Sequence, residues 1–181
     1  MTSTPHDPAR GSFGRALDRL YDITAALGAA SMVLLLCAVL LSIVAREIGF
    51  DVPGIDAYAG YLMAATGFLA LAHTLKRGEH IRVTLLVSSL RGAARRGIEI
   101  WALLAATLLA GLLAFYSCKL AWQSHTYHDI STANDATPLW LPQIAMAVGA
   151  VVLAIAFADE FVLELRGRRV VPQSGEALRN E

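Results

Sequence analysis

Residues 23–45 read ITAALGAASMVLLLCAVLLSIVA, a run without a single acidic or basic side chain. As a helix rising about 1.5 Å per residue, it reaches across the roughly 30 Å hydrocarbon core of a bilayer. It is too long for the core of a secretory signal, which spans about 7–15 apolar residues. It also ends in Arg46-Glu47 rather than at a small-residue cleavage site. It therefore reads as a retained membrane helix. Three more runs share its character, at 57–75, 100–118 and 139–158. The chain is 56% hydrophobic and 17% charged, which leaves too little polar surface to cover four such runs in water. The expected fold is an all-α membrane protein with four transmembrane helices.

The basic residues sort by side. Arg10, Arg15 and Arg19 precede the first span, and Lys76, Arg77, Arg82, Arg91, Arg95 and Arg96 lie between the second and third. Arg166, Arg168, Arg169 and Arg179 follow the fourth, whereas the two remaining connections hold only Arg46 and Lys119. Thirteen of the fifteen therefore share one side, which the positive-inside rule assigns to the cytoplasm together with both termini. In a Gram-negative cell the opposite side is the periplasm. Three segments follow: a cytoplasmic arm at 1–22, a membrane domain at 23–166 and a cytoplasmic tail at 167–181. Phe50, Tyr58, Tyr61, Tyr116, Trp122, Tyr127 and Trp140 gather near the outer ends of the spans, while Tyr21 and Trp101 lie near the inner ends. Amphipathic rings favour headgroup depth, so they support the same boundaries.

The inner connection carries a helical pattern of its own. Thr84, Ser88, Arg91 and Arg95 recur at spacings of four, three and four, and so do Val83, Val87, Leu90 and Ala94. Polar and apolar stripes at the helical period predict a short amphipathic helix over about 82–96, lying in the interface between the second and third spans.

Within lipid, close helix contact relies on small residues. The third span has the ladder Ala102, Ala106, Ala110 and Ala114. The second has Gly60, Ala64 and Gly67, and the fourth has Ala145 and Gly149. These are candidate packing faces; spacing alone does not say whether they meet each other or another protein.

Reactive chemistry finds little support. His73 is the only histidine inside a span, whereas a haem held between membrane helices commonly takes two axial ligands. His125, His128 and Asp129 lack a recognisable third and fourth metal ligand. Cys37 and Cys118 fall at different depths and act as small apolar residues. No phosphate-binding loop or nucleophile motif is present, so neither an enzyme nor a cofactor or metal site is expected. A net charge of zero suggests no nucleic-acid partner. Carriers usually hold carboxylates or broken helices near the midplane, and no span has either. A supporting membrane subunit fits best. A membrane-anchored haem subunit and a self-contained homodimeric carrier are the competing readings.

The stretch Lys76-Arg77-Gly78-Glu79-His80-Ile81-Arg82-Val83 resembles the Arg-x-Gly-x-His-Ile-x-Val signature of a known family. That family is the DctQ-like small membrane subunit of tripartite ATP-independent periplasmic (TRAP) transporters. Thr137-Pro138-Leu139-Trp140-Leu141-Pro142-Gln143, with Gly149 further on, resembles the family's Pro-x-Trp opening of the fourth helix. The likeness covers roughly residues 15–166. One departure is the start of the second helix, where Asp56-Ala57-Tyr58 stands in place of a common Trp and acidic pair.

The resemblance implies a non-catalytic scaffold in the bacterial inner membrane, embedded in membrane lipid. Its partners would be a large multi-spanning subunit with the sodium and substrate sites, and a periplasmic protein that delivers an organic acid. On that basis Gly78, His80 and Arg82, with Arg77 and Ile81, shape the turn into the interfacial helix. Pro138, Trp140 and Pro142 set the entry of the fourth helix. His125, His128, Asp129 and Asp135 are candidate contacts for the periplasmic partner.

Overall fold

Each apolar run is carried by a longer helix, the fourth run beginning one residue before its helix starts. The computed structural model describes residues 12–50, 52–76 and 93–167. Its helices are α1 (Ser12–Glu47), α2 (Ile55–Lys76), α3 (Ala93–Thr126) and α4 (Trp140–Leu165). At about 1.5 Å per residue, α1 and α3 extend roughly 50 Å, so both outrun a bilayer core that α2 and α4 nearly match. The arm expected at 1–22 is thus partly helical, because Ser12–Asp22 continues α1 without a break. Most of the amphipathic helix expected at about 82–96, with Arg77, Gly78, His80, Ile81 and Arg82 before or within it, lies outside the described residues. Its last turn does not stand apart. Ala93–Arg96 begin α3, and the Arg96 guanidinium donates to the Leu165 carbonyl at the end of α4 (3.4 Å). That hold and the i−4 bonds of a long helix outweigh the ~1 kcal/mol that Gly97 costs in a helix interior.

The helices stand in a row. α1 packs along α2, α2 along α4, and α4 along α3, while α1 barely touches α4. The order α1–α2–α4–α3 sets two antiparallel hairpins side by side, with α2 and α4 running parallel in the middle. α4 is accordingly the most enclosed helix, with Ala150 and Ala156 fully buried, and α1 the least. α1 presents Met32, Val33, Leu34, Leu36, Leu40 and Leu41 outward. In lipid these side chains are already in an apolar solvent, so exposure costs nothing that burial would recover. Three threonine hydroxyls within the spans are satisfied inside their own helix: Thr24, Thr66 and Thr107 donate to the carbonyls of Leu20, Leu62 and Leu103, at 2.7–3.1 Å.

Two glycines mark where helices cross. A Cβ on Gly28 of α1 would stand 3.4 Å from the Ala70 nitrogen of α2, an ordinary contact. At Gly149 of α4 it would stand 2.5 Å from the Phe68 carbonyl oxygen, which no side chain tolerates. Of the other small-residue faces, Ala110 and Ala114 are buried, Ala106 and Ala145 are half-buried, and Ala102 is exposed. Gly60, Ala64 and Gly67 are exposed, and among the described residues no atom lies within 4 Å of a Cβ added at either glycine. With Met63, Phe68 and Leu71 they line an open apolar groove of about 430 Å³ on α2.

Candidate functional site

Charged and polar side chains concentrate at the two ends of the row. At the end holding Ser12 and Leu165, Lys76 closes α2 between two carboxylates of α4, Asp159 Oδ2 at 2.5 Å and Glu160 Oε1 at 3.0 Å. The lysine side chain is 14% exposed, and its ammonium lies 5.4 Å from the centre of the Tyr21 ring. Three helices meet there, with Tyr21 2% exposed at the centre. Asp159 and Glu160 directly follow the apolar run at 139–158. The structure turns them inward, because parallel packing brings the next-to-last turn of α4 beside the last turn of α2. On the same end His73 Nδ1 lies 3.6 Å from Asp22 Oδ1, joining α2 to α1.

The opposite end, called the loop end below, is fastened at two places. Across α1 and α2, Arg46 Nη2 reaches Asp56 Oδ2 at 2.6 Å, and Ser42 Oγ donates to Asp56 Oδ1 at 3.0 Å. At the second place, the 127–139 loop, which connects α3 to α4, packs against the first turns of α2. Tyr61 Oη donates to Asp135 Oδ2 (3.1 Å), and the Thr137 and Tyr58 hydroxyls are 3.0 Å apart. The Tyr58 and Tyr61 rings meet edge to face at 6.0 Å. Gly54, at φ +78°, completes this join: a Cβ there would come within 2.6 Å of the Asp135 Cβ. Glycine serves both needs at once, a left-handed backbone and an absent side chain.

The loop has its own frame. Ile130 bridges to Pro138, Ser131 N–H donates to Thr137 O (2.8 Å), and Leu139 N–H to Asp129 O (3.0 Å). Hydrogen bonding from Thr137, then from Ser131 and Tyr61, holds the Asp135 carboxyl below its usual 3.8, against the opposing effect of burial. Trp140 opens α4, and Pro142 occupies its first turn, where a missing N–H breaks no helical bond.

The four expected partner contacts are therefore spread out. His125 sets its ring edge-on against Trp140 at 5.2 Å, and His128, at φ +56°, places Nδ1 3.1 Å from Thr126 O. Asp129 gives its backbone to the loop frame, while Asp135 sits at the join with α2. Among the described residues, no three His, Cys, Asp or Glu side chains converge as a metal set would require. Cys37 and Cys118 are free thiols, both exposed on the apolar surface. Between the two fastenings lies a cleft of about 280 Å³. Arg46, Asp56 and Ser42 line one side and Gly54, Ala133 and Asn134 the other. Sequence reading missed it, since its walls come from residues about 80 positions apart.

A family model described as "Tripartite ATP-independent periplasmic transporters, DctQ component" matches residues 32–167. The chain belongs to the DctQ family. The match spans all four helices except the start of α1, and it includes the connection carrying Arg77–Arg82 and the Pro138–Pro142 segment. No individual curated protein matches the chain. As a DctQ component, the chain is a small membrane subunit of a TRAP transporter, and its four long apolar helices make it a multi-pass membrane protein.

Proposed function

We propose that this DctQ subunit is a non-catalytic scaffold in a sodium-coupled transporter that imports an organic acid. A large multi-spanning subunit carries the sodium and substrate sites, and a periplasmic binding protein delivers the substrate. One observation carries the reading: ion pairs and carboxylates cluster at the ends of the row, and the four apolar runs hold no Asp, Glu, Lys or Arg, with His73 close to the end of its run. Moving an ion or a carboxylate through lipid depth needs polar groups at that depth. A row of helices with both broad faces open is instead suited to lie against another membrane protein.

The subunit sits in the inner membrane with both termini in the cytoplasm and the loop end in the periplasm, in line with the distribution of Lys and Arg. The groove over Gly60, Ala64 and Gly67 is the face offered to a helix of the large subunit, since small side chains let backbones approach closely where no hydrophobic drive exists.

The test is reconstitution. Proteoliposomes holding both membrane subunits should take up organic acid when given a sodium gradient and the binding protein. Those holding the large subunit alone should lose most of that uptake. Uptake by this chain alone would overturn the scaffold reading.

A further inference from the structure

We propose that the outward face of α3 is a lipid boundary of the assembled transporter, a stripe that the large subunit leaves to phospholipid. The inference rests on the scaffold reading, in which a large subunit covers part of the row, and it says which edge stays uncovered.

The two sides of α3 differ in kind. It packs along α4 and turns Leu103, Ala110, Ala114, Ser117 and Ser124 inward. Trp101, Leu108, Phe115 and Trp122 recur every seven residues. At about 100° per residue they fall within roughly 60° of one another, on the side away from α4. All four are exposed, the two tryptophans at 70% and 72%. Helices within lipid approach one another through small side chains, so a ridge of large ones is the reverse of a packing face. The small side of α3, at Ala110 and Ala114, is already spent on α4.

Two features select lipid as the cover. The first is spacing. Trp101 and Trp122 are 21 residues apart. That is about 31 Å of helix, the thickness of a bilayer's hydrocarbon core. Exposed indoles at both limits of that length sit at the two headgroup levels, with Leu108, Leu112 and Phe115 in the hydrocarbon between them. The second is Lys119, exposed on the same stripe three residues before Trp122. Its stem lies along apolar surface while the ammonium reaches toward headgroup phosphates. An apolar helix laid over the stripe would bury that charge without a partner, which is costly. The opposite edge of the row has neither feature: the apolar run of α1, 23–45, holds no aromatic residue and no lysine.

Nitroxide labels read the boundary directly. They are placed one at a time at Leu108→Cys, Leu112→Cys and Phe115→Cys, with Cys37→Ala and Cys118→Ser, and paired with a large subunit free of cysteine. Oxygen is apolar and partitions into lipid, so collisions with it report lipid contact. In nanodiscs, oxygen access at the three sites should stay within twofold when the large subunit joins the small one. Labels at Trp101→Cys and Trp122→Cys should meet a water-soluble nickel chelate at least threefold more than the three central sites, marking headgroup depth. A fivefold or greater fall in oxygen access on assembly overturns the proposal, because the large subunit then covers the stripe. Oxygen access in the small subunit alone tenfold below that of a nitroxide phospholipid also overturns it, since a second copy would then cover the same face. Equal nickel contact at central and flanking sites does so too, because the tryptophans would not bracket the core. Failure of the wild-type chain to co-purify with a large subunit is a different result, which removes the scaffold reading itself and this boundary with it.

Discussion

Gly149 on α4 lies directly against the backbone of Phe68 on α2, so close that an added Cβ would stand 2.5 Å from the Phe68 carbonyl oxygen. Among the described glycines this is the closest contact between helices, and it joins the two hairpins at mid-length. Gly149→Leu forces α4 away from α2 and should cost on the order of 1–3 kcal/mol or more, as overpacking does. Thermal unfolding in detergent reads the loss. Gly67→Ala is the matched control. No atom lies within 4 Å of its added methyl, so the unfolding temperature should hold, and any effect should appear as weaker co-purification with the large subunit.

Lys76 stands between Asp159 and Glu160 with little solvent around the three side chains. Lys76→Met leaves both carboxylates without their ammonium, and breaking a buried pair in this way typically costs about 3–5 kcal/mol. The triple change Lys76→Met, Asp159→Asn, Glu160→Gln removes the charges together and should recover much of the stability. The comparison is a thermal melt of the three forms side by side. Equal melting of the single and triple variants would show that the ion pairs do not hold α2 to α4.

The Asp135 carboxyl is held below its usual 3.8, so its contribution to the loop is complete above that pH. It declines only as acid pushes the folded carboxyl toward protonation. Exchange at the Ser131 and Leu139 amides should therefore stay slow and flat from neutrality to about pH 4, after correction for intrinsic rates, and quicken below. Asp135→Asn should exchange faster throughout and lose the acid-dependent step.

Orientation is open to direct labelling. In a background of Cys37→Ala and Cys118→Ser, a cysteine introduced at Ala133 should react with a membrane-impermeant maleimide in cells whose outer membrane is permeabilised. One introduced at Arg166 should react only after the inner membrane is opened. The reverse pattern would place the loop end in the cytoplasm and contradict the scaffold orientation.

Much of the fold was legible because lipid acts as a solvent with simple demands. Runs such as 23–45 had to be helical and about a bilayer long, since a backbone in hydrocarbon must satisfy its own hydrogen bonds. Pro138 and Pro142 marked the start of α4 because proline is harmless in a first helical turn. Packing was harder to read. Gly60, Ala64 and Gly67, spaced by four and three, look as much like a packing face as Ala106, Ala110 and Ala114, spaced by four, yet the former line an open groove while Ala110 and Ala114 are buried. Hydropathy cannot separate a protein-facing position from a lipid-facing one when both neighbours are apolar. The candidate site was legible only as a list of loop residues, of which Asp135 alone reaches α2 through its side chain.

By itself, then, the sequence determined four membrane helices, an alternation of direction along the chain and a family signature in the inner connection. These depend on length, charge distribution and local chemistry. Only the tertiary structure decided the order α1–α2–α4–α3, the inward turn of Asp159 and Glu160 onto Lys76, and the cleft between Arg46 and Asn134. These depend on which small-residue face meets which. That choice is made by close fit, such as Gly149 on Phe68, and close fit leaves no periodic trace along a chain.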